Sequence, residues 1–325
     1  MEHLLTVKDL NVTYVNKNRR VMAVRNVNMA VDKGDSLGIV GESGSGKSTL
    51  AMALLRLHPK GTEITGQALF EGKDLLAITK EEMNELRWVK IAVVFQKAMN
   101  ALSPVHRISE QIEDIYRVHC PKASADEIKT RTLELLKLVN LPERVYNLYP
   151  HEMSGGMLQR VAIAISLLHH PQLLIFDEAT TALDVVTQGQ ILKEILEMEK
   201  TLATTRIMIT HDMSVVATTC NKVAVMYAGE LMEFGMVKDV LTHPHHPYTQ
   251  GLQGSFPSLK GDNKKLVSIP GFLPDLSKEC KGCVFAPRCS HATERCHKEK
   301  PPMVKTGEAG GAACWLCIGG EENGK

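Results

Sequence analysis

The chain lacks both a net charge and a long apolar segment. Its 38 Lys and Arg residues nearly balance 37 Asp and Glu residues, for a formal charge of +1. With no overall positive field, contact with nucleic acid or anionic lipid would have to be local. The longest apolar stretches, such as Val161 to Leu168, fall far short of the ~20 residues that cross a bilayer, and Met1 to Leu10 has no signal-peptide pattern. We therefore expect a chain that does not itself cross a membrane.

Aromatic residues are scarce, at 5% of the chain, and there is no fixed-period repeat or low-complexity tract. The missing period excludes solenoids and coiled-coil arms. What is present is ordinary for a globular protein, with 44% hydrophobic and 23% charged residues. This composition excludes disordered and fibrous chains. A length of 325 residues suggests about two domains.

Strand-length apolar runs alternate with helical patterns from Leu4 to about Leu252. This alternation is typical of an α/β domain with a largely parallel sheet. Residues 4–40 differ, because their short alternating runs predict antiparallel strands.

The pattern is helical from about 98 to 168, with Ser124 as a helix cap and Leu141-Pro142 as a stop, which indicates a helical insertion. Beyond about Ser255 the composition changes to Gly, Pro, Lys and Cys with little periodicity. We therefore predict a domain at 1–257 and a small C-terminal extension at 258–325.

Residues 41–48 fit the pattern G-x-x-x-x-G-K-[ST], between the apolar run Ser36 to Val40 and the helical run Thr49 to Leu57. Backbone N–H groups at a helix N-terminus can wrap a polyphosphate, and glycines let the chain approach it closely. We expect Lys47 to neutralise the β and γ phosphates, Ser48 to bind Mg²⁺ and Thr49 to reach the α phosphate. The expected nucleotide contacts of this loop are Ser43, Gly44, Ser45, Gly46, Lys47, Ser48 and Thr49.

A buried strand, Leu173 to Phe176, is predicted to end in two carboxylates, Asp177 and Glu178. Ligands of open α/β sheets bind at the carboxyl ends of the strands. We expect Asp177 to hold Mg²⁺ through its water shell and Glu178 to polarise the attacking water as the general base. Asp-Glu after an apolar run is common, so this assignment depends on the phosphate loop.

Two more predicted strands end in polar residues suited to the same site. Ile91 to Phe95 leads into Gln96, which could bridge Mg²⁺ and the lytic water, and Ile207 to Thr210 leads into His211, which could contact the γ phosphate. Taken alone, each is more often a capping or loop residue.

Ser154-Gly155-Gly156 opens a helical run, and Asp184 follows the Asp177-Glu178 pair. In this order and spacing, the set of motifs resembles the ATP-binding subunit of ABC transporters. The resemblance covers about residues 1–255 and implies a P-loop ABC ATPase domain with a RecA-like core, an antiparallel β subdomain and an α-helical subdomain. The implied roles are Walker A at 41–48, Q-loop at Gln96, signature at Ser154 to Met157, Walker B at 173–178, D-loop at Asp184, switch histidine at His211 and adenine stacking at Tyr14.

Three positions depart from the commonest form of these motifs. Met153 and Met157 replace Leu and Gln of the signature, and Ala179 replaces the proline often found after the catalytic Glu. Methionine after Ser-Gly-Gly is familiar in the peptide-importer branch, so we expect an active signature.

The narrower resemblance is to the ATPase subunits of dipeptide and oligopeptide importers. It rests on four segments: Phe95 to Gln111, Val223 to Gly229, His246 to Thr249 and Gly282 to Cys289. The same branch contains nickel and some sugar importers, which leaves the solute open.

The resemblance also implies partners. ATP would lie between one chain's phosphate loop and its partner's signature, in a head-to-tail pair with a second ABC ATPase subunit, by family habit a paralogue. Two membrane permease subunits and an extracytoplasmic substrate-binding protein would complete an importer, with this chain peripheral at the cytoplasmic face of the membrane. Nucleotide would then drive closing and reopening of the pair.

Cysteines are concentrated near the C-terminus: six of the eight follow residue 279, namely Cys280, Cys283, Cys289, Cys296, Cys314 and Cys317. A reducing cytosol disfavours three disulfides and favours a metal site. Four thiolates can hold zinc or an iron-sulfur cluster, and their spacing alone does not separate the two.

Importer ATPases of this branch can carry a 4Fe-4S cluster in a C-terminal extension. Their pattern maps onto Cys283, Cys289, Cys296 and Cys314, which leaves Cys280 and Cys317 as extra thiols or alternative ligands. By this resemblance the cluster is the favoured cofactor beside ATP and Mg²⁺, with zinc as the alternative.

A soluble DNA-associated ABC ATPase is the rival from another class. Ser258 to Lys305 contains ten Lys or Arg against five Asp or Glu, a local charge of +5 (10 − 5). The near-zero overall charge and the importer-type segments count against this reading, so we expect no nucleic acid partner.

Overall fold

The computed structural model describes residues 3–17, 19–96, 101–180, 183–202, 204–254, 269–307 and 310–318. The chain divides into two compact units, residues 1–77 with 208–325 and residues 78–207. The predicted boundary at 257/258 and the predicted start of the helical insertion at 98 lie outside the described residues.

The elements follow in chain order. The first part of the chain contains β1 (His3–Asn16), β2 (Arg19–Asp32), β3 (Ser36–Val40), α1 (Lys47–Leu54), β4 (Thr62–Phe70) and β5 (Lys73–Asp74). The second unit contains α2 (Lys80–Leu86), β6 (Ile91–Phe95), α3 (Ile108–His119), α4 (Ala125–Leu138), α5 (Gly155–Ser166), β7 (Leu173–Asp177) and α6 (Val185–Leu202). The chain then returns through β8 (Thr205–Thr210), α7 (Met213–Thr219), β9 (Lys222–Tyr227), β10 (Glu230–Met236), α8 (Val237–Thr242), α9 (Pro247–Gly254), α10 (Glu294–Lys298), β11 (Val304–Lys305) and β12 (Gly311–Ala312).

An antiparallel sheet with strand order β2-β1-β4-β5 opens the first unit. Side chains alternate between buried and exposed along much of β1 and β2, as expected of a sheet with one covered face. The antiparallel strands predicted for the N-terminal segment are therefore confirmed for β1 and β2.

A second sheet in this unit has β3 parallel to β9, followed by β10, β12 and β11. Every residue of β3 is buried, which is typical of a parallel strand covered on both faces. Gly38 provides the space for a helix on one face, because a Cβ there would lie 2.4 Å from Cγ1 of Val216 in α7. Close packing of α7 thus fixes the strand that leads into residues 41–48.

The C-terminal residues 269–318 pack against the same unit. Strand β12 pairs with β10 at Glu233 and Phe234, and β11 pairs with β12. Val284 and Phe285 are buried in one cluster with Tyr227 and Tyr248. The cysteine-rich segment therefore shares its core with the strands of the first unit.

In the second unit, β6 and β7 are parallel, in register from Ile91 opposite Leu173 to Phe95 opposite Asp177. Helices α3 and α5 both contact α4. Ser124 caps α4 as predicted, since its Oγ accepts a hydrogen bond from the Glu127 N–H at 3.1 Å. No helix in the described part of the chain is long and apolar enough to cross a membrane.

Candidate functional site

The loop between β3 and α1 has a shape that glycine alone permits at two points. A Cβ at Gly41 would lie 2.0 Å from the carbonyl oxygen of Met226, and one at Gly46 would lie 2.2 Å from that of Ala23. Gly46 also has a φ of 99°, in the left-handed region that favours glycine. Two backbone carbonyls of neighbouring strands therefore fix where the loop runs.

Lys47 directs its charge into this loop. The side chain is only 4% exposed, and Nζ donates hydrogen bonds to the carbonyl oxygens of Gly41 at 2.8 Å and Glu42 at 2.9 Å and to Oγ of Ser45 at 3.4 Å. Helix α1 begins at Lys47 and carries no acidic residue in its first turn. A buried ammonium and the amides of a helix N-terminus together favour an anion such as phosphate.

The other predicted contacts of the loop surround this centre. Ser43 and Gly44 are exposed, Ser45 is fully buried, and Ser48 and Thr49 are half-buried in the first turn of α1. Tyr14 of β1 donates a hydrogen bond from Oη to Oγ1 of Thr49 at 3.0 Å. The structure therefore connects the residue expected to stack on adenine with the first turn of α1.

His211 belongs to the same unit as the loop. It directly follows β8 and is exposed, and the next residue, Asp212, caps α7 through a hydrogen bond from the Ser214 N–H to its Oδ1 at 2.8 Å. The imidazole is thus presented at a strand end, as the sequence predicts.

In the second unit, the predicted carboxylate pair and Gln96 meet at the end of the two parallel strands. Asp177 is 5% exposed and lies opposite Phe95 in the strand register. Gln96 follows Phe95 and Glu178 follows Asp177, and these two residues are in contact: Nε2 of Gln96 donates a hydrogen bond to Oε2 of Glu178 at 3.2 Å. The in-register ends of β6 and β7 bring these side chains together.

Glu178 has a left-handed backbone, with a φ of 49°. This conformation is uncommon for a residue with a side chain and costs on the order of 1–3 kcal/mol, so it persists where the surrounding structure holds it. The turn directs the chain sharply away from β7 directly after the buried Asp177.

Ser154 caps α5, because its Oγ accepts a hydrogen bond from the Met157 N–H at 3.3 Å. Gly156 has no room for a side chain, since a Cβ would lie 2.7 Å from Cγ2 of Thr187. Asp184 fixes that threonine by accepting hydrogen bonds from its Oγ1 at 2.7 Å and its N–H at 3.0 Å, and these bonds lower the pKa of Asp184. The signature and D-loop segments therefore pack together.

Sequence reasoning missed Thr187, because nothing in its local pattern separates it from other residues at the start of a helix. Thr181 and Ala182, which precede Asp184 in the same motif, lie outside the described residues.

The four cysteines of the predicted ligand set line one cavity of about 140 Å³: Cys283, Cys289, Cys296 and Cys314. His246 and Trp315 also line it. Cys280 is not among the residues that line this cavity, and it donates a hydrogen bond from Sγ to the carbonyl oxygen of Gly282 at 3.4 Å. Within the described ranges, no three His, Cys, Asp or Glu side chains are close enough together to hold one metal ion.

The thiols of this cavity differ in acidity. Burial raises the pKa of Cys283 to about 11 and also raises that of Cys289. A hydrogen bond with Cys317 lowers the pKa of Cys314 to about 7 and raises that of Cys317. The four cysteines therefore line one largely apolar cavity, and thiolates are ligands that soft metals prefer.

Comparison with known families gives two matches. Residues 24–181 match the family described as ABC transporter, and residues 232–296 match the family described as oligopeptide/dipeptide transporter, C-terminal region. The second match begins within β10 and includes three of the four cavity cysteines, Cys283, Cys289 and Cys296.

Individual relatives align along almost the whole chain. The chain is 44% identical over 318 residues to the oligopeptide transport ATP-binding protein OppD of Bacillus subtilis, covering 96% of this chain and 88% of that protein. It is 42% identical over 318 residues to the dipeptide transport ATP-binding protein DppD of Lactococcus lactis, covering 97% and 91%.

Among solved structures, the dimeric post-hydrolysis state of the ATP-binding cassette MJ0796 bound to ADP and Pi is similar at a TM-score of 0.64 and 30% identity. The match covers 72% of this chain and 98% of the chain of the ATP-binding cassette. The phosphate loop, the paired strand ends and these likenesses support the same assignment. The chain has the P-loop ABC ATPase fold and belongs to the ATP-binding subunits of ABC transporters, in the oligopeptide and dipeptide importer (OppD/DppD) type.

Proposed function

We propose that this chain binds and hydrolyses Mg²⁺-ATP and thereby powers import of dipeptides or oligopeptides. The observation that carries the proposal is the phosphate loop, in which Lys47 is buried among the carbonyls of Gly41 and Glu42 at the start of α1. A polyphosphate entering the loop offers anionic oxygens to this ammonium, and such charge-assisted hydrogen bonds are stronger than those to neutral carbonyls.

The placement of the loop and the resemblance to ABC ATPases support the following nucleotide contacts. Lys47 binds the β and γ phosphates, Ser48 binds Mg²⁺, Thr49 reaches the α phosphate and Tyr14 stacks on adenine. Backbone amides of the loop complete the phosphate contacts. The loop residues in this proposal are Ser43, Gly44, Ser45, Gly46, Lys47, Ser48 and Thr49.

Hydrolysis is assigned to the ends of three strands. Glu178 accepts the proton of the attacking water, Gln96 orients that water, and His211 stabilises the γ phosphate. Asp177 and Gln96 would also help to hold Mg²⁺, which would neutralise charge on the phosphates. The contact between Gln96 and Glu178 at 3.2 Å supports a shared role at one water. A carboxylate has two oxygens, so Glu178 can accept from Gln96 and still accept from a water.

Pairing with a second ABC ATPase subunit, a paralogue, supplies the opposite side of each nucleotide. In this arrangement Ser154, Gly155 and Gly156 of one chain bind the γ phosphate held by the other, through the N-terminal amides of α5. The dimeric state of the similar ATP-binding cassette supports such pairing. Closing on ATP and reopening after hydrolysis, at the cytoplasmic face of the membrane, then drive two membrane permease subunits. An extracytoplasmic substrate-binding protein delivers the solute to these permeases from the opposite side.

The names of the relatives and the matching C-terminal family favour peptides as the solute over nickel or sugars. Uptake of a labelled dipeptide and of nickel is measured in cells that lack this chain and then receive it. We expect the wild type to restore dipeptide uptake and the Lys47→Ala variant to leave it absent. Restored nickel uptake without dipeptide uptake would contradict the proposed solute.

We also propose that Cys283, Cys289, Cys296 and Cys314 hold a 4Fe-4S cluster that stabilises the C-terminal segment as an extension of the ATPase domain. The support is their common cavity and thiol chemistry, in a chain of the importer type. Bound to four thiolates, the cluster would join segments that contribute few apolar side chains.

The cluster is tested by iron and sulfide analysis and absorption spectra of protein purified without oxygen. We expect both elements and visible absorption in the wild type and in Cys280→Ser, and their loss in Cys289→Ser. Colourless wild-type protein with stoichiometric zinc would establish the alternative.

A further inference from the structure

Arg288 connects the C-terminal segment with the phosphate loop. Its side chain is 7% exposed, and Nη1 donates to Oε2 of Glu42 at 2.9 Å and to Oη of Tyr227 at 3.2 Å. The guanidinium lies over the Tyr227 ring, 5.5 Å from its centroid. A buried arginine is thus paired with a carboxylate of the loop, at the position after Gly41.

The same guanidinium is anchored on the side of the C-terminal segment. Nε donates to the carbonyl oxygen of Pro270 at 2.7 Å, and Nη2 donates to that of Ile269 at 3.2 Å. All three nitrogens of the planar guanidinium therefore donate hydrogen bonds. Two of them bind carbonyl oxygens of residues 269–270, and the third binds the Glu42 carboxylate. A lysine could reach one of these partners but not all of them.

Glu42 is held at three atoms. Its carboxylate accepts from Arg288, its N–H donates to Oη of Tyr248 at 3.0 Å, and its carbonyl oxygen accepts from Nζ of Lys47 at 2.9 Å. Tyr248 is fully buried, beside Phe285 at a ring centroid distance of 5.3 Å. A shift of Glu42 therefore moves a carbonyl that positions the Lys47 ammonium.

A second contact places the C-terminal segment beside the loop. A Cβ on Gly44 would lie 3.9 Å from Cδ1 of Leu273. Further along, the carbonyl oxygen of Leu276 accepts from the N–H of Met22 at 3.0 Å and from Nη2 of Arg25 at 3.1 Å. The segment around 273–276 therefore lies along the phosphate loop and β2.

We propose that Arg288 is a positioning residue for nucleotide binding, acting through Glu42 on Lys47. The C-terminal segment then sets ATP affinity from outside the nucleotide-binding motifs of the ATPase domain. This inference deepens the proposed function and rests on it, since it concerns the same phosphate loop.

The test compares the KM for ATP with kcat in purified variants of the full chain. Arg288→Met removes every hydrogen bond of the guanidinium, including the charge-assisted one to Glu42, and we expect the KM for ATP to rise about tenfold with kcat changed less than about twofold. Arg288→Lys keeps the charge near Glu42 and should recover part of the affinity. Glu42→Gln should raise the KM in the same way, and combining it with Arg288→Met should add little.

Arg19→Met is the matched control. Arg19 also pairs with the C-terminal segment, at Oδ1 of Asp275 at 2.9 Å, but it is 64% exposed and makes no contact with the loop among the described hydrogen bonds. Its loss should leave the KM unchanged.

An unchanged KM in folded Glu42→Gln and Arg288→Lys, or effects of Arg288→Met and Glu42→Gln that simply add, would overturn the inference. Urea unfolding of each variant identifies any that fail to fold, and Glu42→Gln tests the contact from the other side if Arg288→Met is one of them. Failure of the wild type to bind ATP would instead overturn the proposed function.

Discussion

Replacing Gly46 with alanine should disable the phosphate loop while leaving the fold in place. The added Cβ would lie 2.2 Å from the carbonyl oxygen of Ala23 in β2, about 1 Å closer than such contacts allow. Because both groups belong to the backbone, either the loop or the strand has to move. A displacement of about 1 Å at a catalytic site can cost about 100-fold in rate, so kcat/KM for ATP should fall by about that factor.

Gly34→Ala is the control that separates this clash from backbone strain. Gly34 has a φ of 83°, close to the 99° of Gly46, but a Cβ there meets nothing within 4 Å. Both substitutions should therefore cost about 1–2 kcal/mol of unfolding free energy for the left-handed conformation. Only Gly46→Ala carries the additional displacement of the loop.

The assay is phosphate release over a range of Mg²⁺-ATP concentrations, at a temperature where urea unfolding shows both variants to be folded. We expect wild-type kcat/KM in Gly34→Ala and the 100-fold loss in Gly46→Ala. Equal values in the two variants would refute the reasoning that the carbonyl of Ala23 fixes the loop.

Two further predictions concern buried polar groups. Burial lowers the pKa of His246 from 6.5 to about 4, and its Nδ1 accepts from the Tyr248 N–H at 3.0 Å, so the folded state holds the neutral ring. As the pH falls below the unfolded pKa, the unfolded chain binds a proton that the folded chain does not, and stability is lost. Between pH 8 and pH 5 we expect this residue to lower the unfolding free energy by about 2 kcal/mol in urea unfolding, and His246→Asn should remove that loss. An identical pH dependence in the variant would contradict this prediction. Arg160 of α5 binds Glu194 of α6 at 2.8 and 3.0 Å, with side chains 12% and 5% exposed. Arg160→Met should lower the unfolding free energy by about 3–5 kcal/mol, because it leaves the buried Glu194 carboxylate without this partner. Adding Glu194→Leu to make the double variant should restore part of the lost stability. A loss below about 1 kcal/mol in Arg160→Met would show that the carboxylate finds another partner.

The sequence predicts the parts of the site whose signals are local. Residues 41–48 combine glycines, a lysine and a hydroxyl at fixed spacing, and the structure places them between β3 and α1 as expected. The ends of β6 and β7 are also predictable, because the apolar run of five residues in β6 stops before Gln96 and the run of four residues in β7 stops at Asp177.

The contacts that sequence reasoning missed join distant positions or very short elements. Arg288 and Glu42 are 246 residues apart, and nothing in either local pattern points to the other. Strand β12 has two residues, too few for a period of two to be visible. Helix α9 is only eight residues long and begins at Pro247, since proline fits the first position of a helix.

The most direct test of the account measures phosphate release and nucleotide binding together, in the wild-type chain and in Glu178→Gln. If Glu178 is the general base of ATP hydrolysis, the wild type should release phosphate from Mg²⁺-ATP. The variant should bind ATP with unchanged affinity and turn over at least about 100-fold more slowly. An unchanged rate in the variant, or a wild-type chain that binds ATP without hydrolysing it in the presence of its partners, would contradict the account.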